Sequence, residues 1–193
     1  MVRFRAVLAL AAALVVSACF PPVTKSPVGT TVGLKADPLL TGLWKGENAD
    51  HDPSYFHFLP QDDGSILVLT VEGGKTPKEW NSFKITTTKL GANGFINAKL
   101  LLINGEPDVA KLPATIPVLY RFDHGVLTLA IMDENKVKAA IRAGKLKGVI
   151  GKGDYGDAMI TADPRTLDKL LTSPAGVSLF GPPFRWPEGK QFH

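Results

Sequence analysis

The side chains that could do chemistry are few and scattered. Cys19 is the single cysteine of the chain. Asp50-His51-Asp52 is the densest polar group, and His57 follows on the next extended stretch. Carboxylates and imidazoles in that order could hold a divalent metal or work as an acid–base pair. A metal site needs three or four ligands converging on one point. No fourth ligand is marked, so the group reads more simply as a polar loop capping a hairpin, and no metal is assigned. Gly148-Val149-Ile150-Gly151-Lys152-Gly153 holds glycines and a lysine. It lacks the spacing of a phosphate-cradling loop and the Ser or Thr that should follow the lysine, so it reads as a turn. No Gly-x-Ser-x-Gly elbow is present, and no serine has a visible base partner. No catalytic residue and no cofactor is assigned, and an enzyme is the least supported class.

Cys19 is different, because of what precedes it. Arg3 and Arg5 form a positive start, Ala6 to Val16 is an unbroken apolar run, and Val16-Ser17-Ala18 leads into the cysteine. A positive region, a short apolar region and small residues before a cut site describe a secretory signal over residues 1–18. A membrane-spanning helix needs about 20 apolar residues, well beyond this run. Pro21 and Pro22 then oppose helix continuation, since proline lacks the N–H donor and clashes with the preceding turn. Val16-Ser17-Ala18-Cys19 resembles the bacterial lipobox. That resemblance implies cleavage between Ala18 and Cys19, acylation of Cys19 and attachment to a lipid bilayer. It accounts for the one leftover cysteine of an exported chain. A single acyl chain binds membranes only marginally, whereas two or more give stable anchoring. Phe20 stands where an aspartate marks inner-membrane retention in enteric bacteria. The resemblance therefore implies a cell-envelope protein held in the outer membrane and facing the periplasm.

The formal charge is +4, and two of those charges, Arg3 and Arg5, lie in the expected signal. Nothing in the remaining balance calls for nucleic acid. Lys136, Lys138, Arg142, Lys145, Lys147 and Lys152 form a basic run. Part of it complements a helix dipole, with Asp133 and Glu134 at the helix start and Arg142 and Lys145 near its end. The rest is suited to anionic lipid headgroups or an acidic partner.

The elements that must position these residues read as follows. Residues 19–37 hold prolines, glycines and threonines without apolar periodicity. They are expected to be an acylated N-terminus and flexible tether, reaching about 50 Å if extended. Residues 38–193 are expected to be one domain. Gly42–Asn48, Ser54–Leu59, Ser65–Val71, Ser82–Leu90, Phe95–Ile103, Ile116–Phe122, Val126–Met132 and Asp157–Ala162 read as strands. Short alternating runs between turn signals indicate an all-β sandwich or barrel. Asp133–Ala143 and the segment after Asp163-Pro164 read as helices, the latter with an N-cap and a proline at the first helical position. The apolar, proline-rich tail Val177–Trp186 is expected to run extended and cover a sheet edge. The fold class is thus mainly β: about eight antiparallel strands closed into a barrel, with two short helices, one before and one after the last strand. Gly42-Leu43-Trp44 on the first strand resembles the Gly-x-Trp signature of lipocalins. The late helix, Gly144-Lys145-Leu146-Lys147-Gly148 and the leucine-bearing last helix resemble a set of bacterial lipocalin-like proteins. In that family an arginine packs on the tryptophan, a role for which Arg165 is the candidate.

The resemblance implies a binder or carrier of a small apolar ligand. Tyr55, His57, Trp80 and Tyr120 are then the candidate ligand-binding residues, since small barrels place a few polar groups in an apolar pocket. The alternative is a non-enzymatic interaction or assembly protein of the envelope with a solid barrel. An interior filled by Phe83, Ile85, Leu100, Leu127 and Leu129 would favour the alternative.

Overall fold

The computed structural model describes residues 21–30, 32–47, 52–73, 80–107, 114–151 and 158–186. The proposed signal and Cys19 lie outside the described residues. Twelve strands and three helices follow in the order β1 (Val23–Thr24), β2 (Gly42–Glu47), β3 (Pro53–Pro60), β4 (Ile66–Glu72), β5 (Trp80–Leu90), β6 (Asn93–Ile103), β7 (Glu106–Pro107), β8 (Ile116–Asp123), β9 (Val126–Ile131), α1 (Glu134–Arg142), β10 (Gly148–Ile150), β11 (Ala158–Ile160), α2 (Pro164–Leu171), α3 (Pro174–Val177) and β12 (Phe184–Trp186). Among these no helix is long and apolar enough to cross a membrane.

The main sheet is antiparallel, with strands in the order β12-β9-β8-β6-β5-β4-β3-β2 and β7 added beside β6. It curls into a half-barrel, which corrects the expected closed barrel. The reason lies in one strand. The segment expected as the last staves of the ring, β11, pairs instead with β1 and β10 in a separate three-stranded sheet. The place beside β9 is taken by β12, so Phe184 lies opposite Leu129 and Trp186 opposite Leu127. The tail thus covers an edge as expected, but its first residue, Val177, ends α3, a third helix where two were expected, and β2 and β12 remain the two ends of the sheet.

Local rules set the turns. His124 and Gly125 both have positive φ and join β8 to β9, as a two-residue hairpin of type I′ requires. Helix α1 is capped by the Asp133 side chain, which accepts from the Lys136 N–H, and α2 by Asp163, which accepts from Thr166. These bonds satisfy amide donors that a first helical turn leaves free.

Two cores result. One fills the concave face, where Trp44, Phe56, Phe58, Phe83, Ile85, Val118, Leu127 and Leu129 are buried together. The other lies outside the sheet. There Phe95, Leu119, Ala130 and Met132 of β6, β8 and β9 and their continuation pack with Val137, Ile160, Leu167, Leu171 and Val28.

Val28 corrects a second expectation. The stretch read as a tether is built into the domain from Pro21 onward, and Pro21 to Thr24 are all buried. β1 runs parallel to β11, and Thr24 exchanges backbone hydrogen bonds with Thr115. Val28 is fully buried. Its N–H donates to Asn97 Oδ1 at 2.7 Å, and its carbonyl accepts from Asn97 Nδ2 at 2.9 Å. The Gly29 N–H donates to Asp168 at 2.8 Å. The chain approaches β5 so closely here that a Cβ on Gly29 would stand 2.4 Å from Thr88 Oγ1. Farther on, Leu40 is fully buried, and Tyr120 Oη donates to Asp37 at 2.8 Å. Low apolar periodicity signalled a loop, but one held by the Asn97 amide of β6 and the Asp168 carboxylate of α2.

Candidate functional site

A ligand site in a half-barrel should lie on its concave face, so the alternation of each strand decides what faces it. Register carries one inward row from Phe58 through Val68 and Phe83 to Leu100. The next runs from Ile66 through Ile85 and Ala98 to Ile116. Phe83, Ile85, Leu100, Leu127 and Leu129 are 4%, 3%, 7%, 0% and 0% exposed, so the side chains named for a filled interior are all buried. Among the described residues these rows enclose a hollow of about 30 Å³, lined by Phe56, Phe58, Thr70, Phe83, Ile85 and Leu129 among others. A water needs about 10–15 Å³ of such space, so the hollow has room for about two waters.

One end of the concave face is polar. Thr70 lies between Phe56 and Asn81 in register, and Ser54 lies opposite Glu72. Ser54, Thr70 and Asn81 are buried. Ser54 Oγ and Asn81 Oδ1 have no hydrogen-bond partner among the described residues. Burying a polar group without a partner is unfavourable by about 1–3 kcal/mol on mutational evidence. This polar rung was missed in the sequence. Its signal is a polar residue at an inward phase of an otherwise apolar alternation.

The four candidate ligand residues are not brought together. Tyr55 and His57 alternate with the inward Phe56 and Phe58 and so project from the convex face, Tyr55 half-buried and His57 exposed. Trp80 is 36% exposed at the start of β5. Tyr55, Val71 and Trp80 line up across β3, β4 and β5, so Tyr55 and Trp80 share a convex row without facing the hollow. Tyr120 alone belongs to the concave core. Its hydroxyl is engaged by Asp37. Burial, reinforced by that carboxylate, pushes the phenol above its ordinary range.

Trp44 is a core aromatic, with Nε1 donating to the Leu40 carbonyl at 3.0 Å. Its ring packs on Phe122 with centroids 6.0 Å apart. Arg165 is exposed on the first turn of α2. Asp50 and His51 lie outside the described residues. Among the described residues no group of three or more His, Cys, Asp or Glu side chains is placed to hold a metal.

The basic run divides. Lys138 pairs with Glu134 one turn back at 2.6 Å, and Lys136 Nζ donates to the Phe180 carbonyl at 2.9 Å. Both serve the helix and its surroundings. Arg142, Lys145 and Lys147 are exposed, and Lys152 lies outside the described residues. The stretch read as a turn contains β10, where Val149 and Ile150 are 56% and 37% exposed. Comparison with protein-family models, with curated proteins and with solved structures finds no match for this chain.

Proposed function

We propose that this chain is a bacterial envelope lipoprotein, held in the outer membrane by acylated Cys19, whose half-barrel is a solid, non-enzymatic interaction module. The observation that carries the solid reading is the filled concave face, with its hollow of about 30 Å³. The convex face supports an interaction role. Leu43, Tyr55, Leu59, Leu67 and Leu69 are only half-buried there, and Val71 and Trp80 are 36% exposed. Contiguous exposed apolar surface marks interaction sites more often than scattered single residues do.

A carrier of a small apolar ligand is the second reading. The buried Ser54 and Asn81 favour it, because they place unpartnered polar atoms at the end of an apolar trough. Such a carrier would have to open its core to admit a ligand.

Native mass spectrometry of the full lipoprotein, extracted from its own membranes, separates the two. The expected mass is the chain from Cys19 onward plus its acyl groups. A further discrete mass that organic extraction removes would overturn the solid reading and establish the carrier.

A further inference from the structure

Asn93-Gly94 and Asn104-Gly105 are the two Asn-Gly pairs of the chain. Asparagine before glycine is open to attack by its own main chain, because glycine has no side chain to shield its nitrogen or to restrict its dihedrals. The fold places the two pairs in opposite settings.

Asn93 begins β6, and Gly94 stands in register with Lys89 on one side and Tyr120 on the other. A residue of an inner strand gives its N–H to one of its two neighbours. Gly94 is also buried, with the Tyr120 ring so near that a Cβ would stand 2.7 Å from it. The nitrogen that would attack Asn93 is therefore fixed in the sheet. Asn104 and Gly105 instead make up the two-residue turn between β6 and β7, with Ile103 opposite Glu106. Both are exposed, and both have positive φ, 50° and 86°. The first of these is a sparsely used conformation for any residue with a side chain. Gly105 takes no place in a strand register, so its nitrogen is not bound into a ladder.

A donor is also aimed at the amide that would react. Asn104 Oδ1 accepts from the Trp80 N–H at 3.0 Å, and the Asn104 N–H donates to the Trp80 carbonyl at 2.7 Å. Attack on Cγ pushes negative charge onto Oδ1, and a fixed backbone donor stabilises that charge as it forms. Asn93 Oδ1 likewise accepts from Arg121, at 2.9 Å. The donor alone does not separate the two pairs; the freedom of the glycine nitrogen does.

We propose that Asn104 is a self-modification site, at which the turn and the Trp80 N–H together favour succinimide formation. The Gly105 nitrogen bonds to Asn104 Cγ, the Cγ–Nδ2 bond breaks, and Nδ2 leaves as ammonia with the proton of the Gly105 N–H. Water then opens the imide. Attack at Cγ gives aspartate, and attack at the main-chain carbonyl gives isoaspartate. Nothing is oxidised or reduced, and water is the one co-reactant. Both products place a carboxylate beside Trp80. Isoaspartate also adds a carbon to the main chain, which breaks the geometry of a two-residue turn. Trp80 packs against that turn, since a Cβ on Gly105 would stand 3.0 Å from its ring. For the convex row proposed above as an interaction surface, modification adds charge and loosens Trp80. That consequence rests on the interaction reading, while the chemistry does not.

The test follows the purified full-length protein in mildly alkaline buffer at physiological temperature. Trypsin cuts after Lys89, Lys99 and Lys111 and so puts the two pairs in separate peptides. The peptide holding Asn104 is expected to gain the mass difference between OH and NH2 and to resolve into aspartyl and isoaspartyl forms. Asn93 is expected to stay unchanged in the folded protein and to convert in urea. Trp80→Pro removes the donor at the first residue of a strand, where proline is tolerated, whereas Trp80→Ala keeps it. The proline variant is expected to slow conversion of Asn104 by about tenfold, below the roughly 10²–10³ of a fully buried oxyanion donor, and the alanine variant to stay within about twofold of the parent. Circular dichroism checks that both variants fold. An unchanged Asn104 in folded protein over the time in which the urea-unfolded chain converts would overturn the proposal. So would conversion of folded Asn93 at the same rate, or equal slowing by the two Trp80 variants.

Discussion

The convex face of the sheet has two halves built to the same alternating rule and treated oppositely. On β6, β8 and β9 the outward positions Phe95, Leu119 and Ala130 are 0%, 8% and 4% exposed. They are covered by α1, α2, α3 and the segment around Val28. On β2, β3, β4 and the first half of β5 the apolar and aromatic outward positions are Leu43, Tyr55, Leu59, Leu67, Leu69, Val71 and Trp80, interspersed with the exposed Lys45, His57 and Lys84 and the buried Ser82. These apolar and aromatic positions are all half-buried or exposed, and none belongs to either core. An apolar residue at an outward phase therefore does not tell whether it is core. What decides is whether another element has been spent on that part of the sheet. The late helices and the N-terminal segment all gather over one half, which leaves the other as the place where this molecule can meet something else.

The sharpest break of that comparison is one leucine-to-alanine change on each side. Leu167 on α2 is fully buried in the outer core. Leu167→Ala is expected to destabilise the protein by about 2–5 kcal/mol, since buried leucine loses both transfer energy and packing. Leu69→Ala, on the uncovered half, is expected to destabilise by about 1 kcal/mol or less, the share of transfer energy that a half-buried side chain retains. Urea unfolding followed by circular dichroism checks both. Equal losses at the two positions would show that the two halves are not treated differently.

A smaller effect tests the N-terminal cover itself. Asn97 holds both the N–H and the carbonyl of Val28. Asn97→Ala leaves two buried backbone groups without partners, each worth about 1–3 kcal/mol before local relaxation. A loss of about 2 kcal/mol is expected, together with faster proteolysis at Lys25. Unchanged stability and unchanged cleavage would return residues 21–30 to the loosely attached tether that their composition implied.

That segment also marks where the sequence stopped being legible. Seven of the expected strands appear in the main sheet within a residue or two, because each is a short alternating run between turn residues with their own geometry. Asp163 is readable as a cap, since its carboxylate satisfies an amide that the helix cannot, whereas Asp133 reads only as a charge suited to a helix start and the structure shows it to be the cap of α1. The hold on Val28 was not readable, because it depends on an amide that arrives from β6, distant in the chain. The open barrel was not readable either. Asp157–Ala162 has the composition of a strand, but composition carries no choice of partner, and β11 joined β1 and β10. The same limit explains the candidate ligand residues. The alternation of β3 puts Tyr55 and His57 on one face, but only the curl of the sheet says that this face is the convex one. Ser54, Thr70 and Asn81 stood at the inward phase, where a polar residue is the exception that merits notice.

The smallest expected effect is the most informative about the open half. Val71 lies between Tyr55 and Trp80 in the convex row and is 36% exposed. Val71→Thr keeps the β-branch that suits a strand and replaces one methyl with a hydroxyl. On an uncovered face the hydroxyl meets water, so the free protein should change by no more than about 0.5 kcal/mol. Against a partner that buries the row, the same hydroxyl would be desolvated without a matching acceptor, and association would weaken while folding would not. Thermal unfolding of the purified variant, set beside in-cell cross-linking from position 69, measures the two separately. A folding loss of about 2 kcal/mol would mean that the row is already covered within the native chain, and the open half would cease to be a candidate surface.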